Sequence, residues 1–171
     1  MLMKYQVIYI SKTGNTEKIA KKIFEVLPGM EKDIMRFDPG MEIGDADVVW
    51  VGFCVNRGTC SMDLLDYLSE LHEKKIVLFG TCGMGSDASY YKRIMDEIVA
   101  WIPDDSECLG TFMCQGKMPM SIREKYESML GNGNDGQLQA LIRNFDEALL
   151  RPDKDDLKHT AEFVNRMLEK I

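Results

Sequence analysis

Along this chain, short and nearly unbroken apolar runs alternate with longer stretches in which apolar residues recur every three or four positions. The run Tyr5–Ile10 is followed by Ile19, Ala20, Ile23, Phe24 and Leu27 at helical spacing. A weakly alternating segment, Lys32–Phe37, reads as a short second strand closed by the turn Asp38-Pro39-Gly40. Asp47–Phe53 and Lys75–Thr81 are apolar on both faces, the pattern of strands buried in a parallel sheet. Between them Leu64, Leu68 and Leu71 share a helical face, with Leu65 beside it and Ser61 or Asp63 as the cap. Gly83, Gly85 and Ser86 make a loop before a helix over about 88–101, with Ile94, Met95, Ile98 and Ile102 inward. Glu107–Cys114 is the fifth strand. The last helix follows Pro152, with Asp153 as N-cap, Asp156 completing an acidic variant of the capping box, and an apolar stripe through Leu157, Ala161, Val164, Leu168 and Ile171.

Strands alternating with helices predict an α/β fold: a doubly wound, five-stranded parallel sheet with right-handed crossovers and strand order 2-1-3-4-5. In such a sheet a ligand binds outside the carboxyl ends of the strands, near the switch between the first and third. The loops Ser11–Thr16, Cys54–Cys60 and Thr81–Tyr90 converge there, and there the sequence turns polar or glycine-rich. The stretch 115–151 exceeds what five strands require. Pro119 and Ser121 open a helix through Tyr126 and Met129, Gly131–Gly136 is a turn cluster, and Leu138, Leu141, Ile142, Phe145 and Leu149 have helical spacing. This predicts an inserted helical pair, either at the sheet's edge or over its carboxyl end. No linker or repeat divides the chain, so one domain over 1–171 is expected.

Composition narrows the function classes. A net charge of −7 disfavours nucleic acid and anionic membrane as partners. No apolar run approaches the roughly 20 residues of a spanning helix, and Met1–Lys4 lead directly into the first strand without a signal-peptide core. A cytoplasmic location is the default. The five cysteines, Cys54, Cys60, Cys82, Cys108 and Cys114, include no Cys-x-x-Cys pair and read as free thiols of a reducing compartment. His72 and His159 stand far apart in helical stretches and suggest neither a metal site nor a catalytic triad. Most of the thirteen methionines read as core filler, with Met113, Met118 and Met120 as candidates for a soft partner surface.

The chemistry concentrates in Ser11-Lys12-Thr13-Gly14-Asn15-Thr16. A hydroxyl-rich loop that opens a helix collects N–H and O–H donors at the positive end of the helix dipole, which is what a phosphate requires. The bland alternative is an ordinary βα turn. No Gly-Lys-Ser/Thr closes the loop as in a P-loop, and no Gly-x-Gly-x-x-Gly is present. The loop resembles the hydroxyl-x-Thr-Gly-Asn-Thr phosphate loop of the flavodoxin family, placed as there after the first strand, and the resemblance extends over most of the chain outside 115–151.

That resemblance implies non-covalent FMN and one-electron transfer. It implies Ser11, Lys12, Thr13, Gly14, Asn15 and Thr16 around the phosphate. Cys54, Val55, Asn56, Arg57 and Gly58 would pass one edge of the isoalloxazine, and backbone N–H groups of Thr81, Cys82, Gly83 and Met84 would meet the pyrimidine edge. Asp87-Ala88-Ser89-Tyr90 is similar to the family's Asp-x-x-aromatic element, which makes Tyr90 the stacking candidate, with Tyr91 beside it. Arg57 departs from the acidic loops common in the family, and Gly58 keeps the Cβ-free position a peptide flip beside flavin N5 needs. The segments Gly110–Lys117 and Arg151-Pro152-Asp153 resemble flavodoxin-like proteins of anaerobic bacteria, some of which accompany reductases of linear tetrapyrroles such as bilirubin. The leading expectation is an FMN electron carrier between a reductase donor and an acceptor enzyme. The alternatives are an NAD(P)H-dependent FMN or quinone reductase of the same fold, or an interaction module without flavin.

Overall fold

The computed structural model describes residues 2–85 and 87–171; Met1, and Ser86 of the expected glycine-rich loop, lie outside them. Among the described residues the order is β1 (Tyr5–Tyr9), α1 (Asn15–Val26), β2 (Lys32–Arg36), β3 (Val48–Cys54), α2 (Met62–Ser69), β4 (Lys75–Cys82), α3 (Ala88–Val99), β5 (Glu107–Gln115), α4 (Met120–Ser128), α5 (Asp135–Ala148) and α6 (Lys154–Leu168). The strands form one parallel sheet in the order β2-β1-β3-β4-β5, as the alternation predicts.

The period of two along each strand sorts its side chains into two layers. Val7, Tyr9, Trp50, Val77 and Phe79 pack with Ile19, Ile23, Phe163 and Val164 of α1 and α6. Ile8, Val49, Val51, Phe53 and Leu78 pack with Leu64, Leu68, Ile94 and Ile98 of α2 and α3. This explains why β3 and β4 carry no polar face. Edge strand β2 is half exposed, and its Lys32 Nζ donates to Phe24 O (2.8 Å) and Leu27 O (2.6 Å), closing the α1 C-terminus, whose last turn holds no basic residue.

Two glycines set the spacing between the central strands. Gly52 is paired with Phe79, and Phe53 with Gly80. A Cβ on Gly52 would stand 2.2 Å from the Phe79 ring, and one on Gly80 would stand 2.9 Å from the Phe53 ring. Each aromatic ring therefore lies over the glycine of the neighbouring strand, one pair on each face of the sheet.

The extra segment forms the expected helical pair. In α5, Leu138, Phe145 and Ala148 are buried, whereas α4 buries none of its residues. The return to α6 is tied by charge. Asp156, 3% exposed, receives Nε and Nη2 of Arg151, both at 2.6 Å, and the Asp153 N–H at 2.8 Å. Asp153 in turn accepts from the N–H groups of Asp155 and Asp156, completing the capping box. Asp156→Ala will cost about 3 kcal/mol, the lower end for breaking a buried pair because Arg151 is partly solvated. Urea unfolding of Asp156→Ala, Arg151→Ala and the double variant checks this; additive losses below about 0.5 kcal/mol each would refute it.

Candidate functional site

The β1–α1 loop is held from beneath and open above. Gly14, at φ 85°, is the N-cap of α1 in a left-handed conformation that glycine adopts without strain. Asn15 and Thr16 turn inward and are buried: Asn15 Nδ2 donates to Lys117 O (2.8 Å), and Thr16 Oγ1 shares a hydrogen with Thr81 Oγ1 (2.8 Å). Ser11 Oγ accepts from Gly14 N (3.1 Å), and Ser11 O accepts from Arg36 Nη2 (2.6 Å). Lys12, Thr13 and Gly14 remain exposed.

These anchors leave donors to spare. Among the described residues no side chain caps α1, α2, α4 or α5, whereas Asp87 caps α3 and Asp153 caps α6. The first-turn N–H groups of α1 thus have no intrahelical acceptor and carry the positive end of its dipole. The Ser11 hydroxyl accepts within the loop, which leaves its proton to donate. Thr16 and Thr81 use one of their two hydroxyl protons in their mutual bond. Such a donor set suits a phosphate dianion.

The β3–α2 loop is a two-residue hairpin. Val55 N donates to Thr81 O (2.9 Å), and Asn56 and Thr59 exchange N–H···O bonds of 2.8 and 3.2 Å. Arg57 at φ 52° and Gly58 at φ 83° form its tip, the positive-φ pair of a type I′ turn. Arg57 is exposed and has no hydrogen bond or ion pair among the described residues. Cys54 ends β3 half-buried, and Cys60 is buried behind the hairpin.

The β4–α3 loop is shorter than the expected span. Thr81 and Cys82 still belong to β4 and are buried, so Gly83, Met84 and Gly85 form the described turn. Two tyrosines from the first turn of α3 reach it. Tyr90 is half-buried against the α2/α3 layer, with the Arg93 guanidinium 5.4 Å from its ring centre. Tyr91 Oη donates to Met84 O (2.8 Å). Asp87 accepts from Ser89 and Tyr90, and these bonds hold its carboxyl below the usual carboxylate range.

Burial keeps the nearby thiols protonated. The Cys60 thiol is pushed up to about 12 by desolvation, and Cys82 is raised by the same cause against weaker help from the Met84 N–H and the Tyr90 hydroxyl. Neither is a thiolate nucleophile near neutral pH. At the opposite end of the sheet, an open hollow of about 650 Å³ is lined by acidic residues such as Asp47, Glu73 and Asp105 together with Lys74 and Lys75. Beside the β1–α1 loop, in contrast, a hollow of about 350 Å³ is lined by Thr13, Gly14, Lys18 and Lys117.

A doubly wound sheet with a phosphate-ready loop at its switch point, flanked by a hairpin and a tyrosine-bearing loop, defines a nucleotide-cofactor domain. A family model described as a flavodoxin domain matches residues 6–165, and the chain belongs to the flavodoxin family. It is 36% identical over 173 residues to "Flavodoxin-like domain-containing protein BilS" of Clostridioides difficile, covering 98% of both chains. It is 33% identical over 179 residues to a protein of the same description from Clostridium symbiosum, covering 95% and 94%. Among solved structures, oxidised flavodoxin 2 from Bacillus cereus aligns with a TM-score of 0.60 at 18% identity, over 98% of this chain and 99% of that one. A Lactobacillus acidophilus flavoprotein in complex with FMN aligns at 0.51 and 17%, over 74% and 99%.

FMN fits the donor set: unused N–H and O–H groups for a dianion at one end, and two loops with apolar and aromatic side chains beyond. Sequence reasoning missed three residues that shape this end, namely Arg36, which holds Ser11 O, and Gln115 and Asn144, which hold the Gly83–Gly85 turn.

Proposed function

We propose that the protein is an FMN-dependent electron carrier. The observation that carries this reading is the α1 N-terminus, which lacks a side-chain cap among the described residues, is ringed by hydroxyls and lies at the switch point of the sheet. Ser11, Thr13 and the backbone from Gly14 to Thr16 would hold the phosphate. The hairpin and the Gly83–Tyr90 segment would flank the ring system, with Tyr90 as the stacking aromatic. Bound FMN supplies one-electron chemistry, and the protein sets affinity, access and potential. At this end of the molecule burial keeps the Cys60 and Cys82 thiols protonated, and His72 is paired with Asp105 at the opposite end.

The redox partners are a reductase donor and an acceptor enzyme in the cytoplasm. No helix of the described residues is long and apolar enough to cross a membrane. The family resemblance of Gly110–Lys117 and Arg151–Asp153 to carriers of anaerobic bacteria supports a tetrapyrrole reductase, such as one acting on bilirubin, as the acceptor. Stepwise reduction of the purified protein, followed in the visible spectrum, tests the carrier reading. FMN bands that titrate in two resolved one-electron steps support it. Rapid NAD(P)H oxidation without a separate reductase would replace it with the reductase alternative.

Arg57 gives a second expected result. Its exposed guanidinium at the hairpin tip has no protein partner among the described residues, so its charge is available to an anionic reduced flavin. At 4 Å and an effective dielectric of about 20, the attraction is roughly 4 kcal/mol, and solvent screening reduces it to about 1 kcal/mol. Arg57→Ala will therefore lower the potential of the second reduction step while leaving oxidised FMN affinity nearly unchanged. Identical potentials for Arg57→Ala and the parent would refute this role.

A further inference from the structure

The Gly83–Met84–Gly85 turn is gripped from behind by side chains from three separate elements. Asn144, in the middle of α5, spans it: Nδ2 donates to Gly83 O (3.0 Å), and Oδ1 accepts from Gly85 N (2.9 Å). Gln115, buried at the end of β5, donates from Nε2 to Gly83 O (3.2 Å) and to Asn144 Oδ1 (3.1 Å). Tyr91 donates to Met84 O (2.8 Å). The amide orientation of Asn144 follows from these partners, because exchanging its N and O would set NH₂ against the Gly85 N–H and the Gln115 NH₂. The fit is close: a Cβ on Gly83 would stand 2.5 Å from Met118, and one on Gly85 would stand 2.6 Å from Gln115.

Two consecutive peptide units are fixed by these contacts. The Gly83–Met84 unit is held at its carbonyl by two donors, and the Met84–Gly85 unit is held at both its carbonyl and its N–H. Glycine on either side of Met84 would otherwise make rotation of these units easy. In a trans peptide the N–H points opposite to the C=O. With Gly83 O directed at α5, the Met84 N–H is directed away from α5. Two hydrogen bonds to the carbonyl also polarise the unit and strengthen that N–H as a donor.

We infer that Asn144, assisted by Gln115, is a positioning residue of the cofactor site: helix α5 of the inserted pair locks the β4–α3 turn so that the Met84 N–H faces the cofactor and favours its reduced, anionic form. This rests on the FMN reading above. It gives the inserted helices a task, since they lie outside the five-stranded framework yet reach its carboxyl end through the Asn144 amide.

The test compares Asn144→Ala and Asn144→Asp with the parent. Amide hydrogen exchange on the flavin-free chain reads the clamp, and spectroelectrochemical titration with FMN reads its consequence. In Asn144→Ala, exchange at Gly85 will rise at least tenfold. Preference for fully reduced over one-electron-reduced FMN will fall about fivefold, which is about 40 mV for a one-electron couple. Oxidised FMN affinity will change less than twofold. Asn144→Asp keeps an acceptor for Gly85 N and loses the donor to Gly83 O, so it will keep the slow exchange and still lose the preference. Unchanged exchange in Asn144→Ala overturns the clamp. Faster exchange with an unchanged potential overturns the positioning role and leaves α5 a structural support. A chain that exchanges as expected but binds no FMN overturns the flavin reading, and this role with it, while leaving the clamp itself established. If Asn144→Ala fails to fold, Asn144→Asp carries the same comparison of potentials.

Discussion

Gly52→Ala will destabilise the protein by about 2 kcal/mol, the largest loss expected from adding a single methyl group. Gly52 lies within β3, and the added carbon would sit 2.2 Å from the Phe79 ring. Phe79 is fully buried among Tyr9, Trp50, Val77 and Phe163, so its ring cannot swing into solvent. Overpacking a filled core costs about 1–3 kcal/mol or more. The entropy gained by replacing glycine returns only about 0.4–1 kcal/mol. Against a typical domain stability of about 5–15 kcal/mol, the variant still folds but loses a measurable share of its stability. The cause is separable from a mere loss of glycine flexibility. Phe79→Leu alone will destabilise, but combined with Gly52→Ala it will restore part of the loss, because the smaller side chain vacates the methyl's space. Urea unfolding of the four proteins measures that coupling, and strictly additive losses would show that the Phe79 ring is not the obstacle.

The same pair shows what the chain disclosed before its structure was known. That β3 and β4 are buried on both faces was legible, because neither has a polar face. Strand order followed from alternation and crossover handedness. The ring-over-glycine pairing was not legible, since it depends on the register Gly52↔Phe79 and Phe53↔Gly80, and two uniformly apolar strands carry no register signal. The α6 cap was legible because Asp153 and Asp156 stand at the spacing of a capping box. The role of Asp156 as a partner of Arg151 was not, because the chain before Pro152 had no pattern to orient it.

At the candidate site the division is similar. The β1–α1 loop announced its chemistry through composition, and the structure adds that Asn15 and Thr16 are committed inward, to Lys117 O and Thr81 Oγ1, from distant parts of the chain. The fourth strand, read as ending at Thr81, runs one residue further, because pairing with Gln115 keeps Cys82 in the sheet. Asn144 left no trace in the periodicity of α5. Its partners are backbone atoms of Gly83 and Gly85, and a polar residue on a helix face otherwise reads as solvated. The same pattern of inward anchors below and free donors above bears directly on ligand choice.

FMN will bind at least about 10³-fold more tightly than riboflavin. The two differ only in the phosphate, and the donors proposed to meet it are the first-turn N–H groups of α1 with the hydroxyls of Ser11 and Thr13. A hydrogen bond to a charged group contributes about 1.5–3 kcal/mol. Three of them at the lower end give about 4 kcal/mol, and each 1.4 kcal/mol is tenfold in affinity. Because Asn15 and Thr16 already have protein partners, the loop meets the ligand preformed, and little of this gain is spent on ordering it. Thr13→Ala, which removes an exposed hydroxyl that has no hydrogen-bond partner among the described residues, will weaken FMN about tenfold and leave riboflavin unaffected. Gly14→Val will weaken FMN more, since a branched side chain at φ 85° forces the N-cap out of its left-handed conformation and carries the first-turn N–H groups with it. Quenching of flavin fluorescence on binding measures all of these constants. An FMN-to-riboflavin ratio below tenfold would mean that the loop is an ordinary βα turn and that the phosphate lies elsewhere. Equal losses for both ligands in Thr13→Ala would mean that Thr13 supports the fold and not the phosphate.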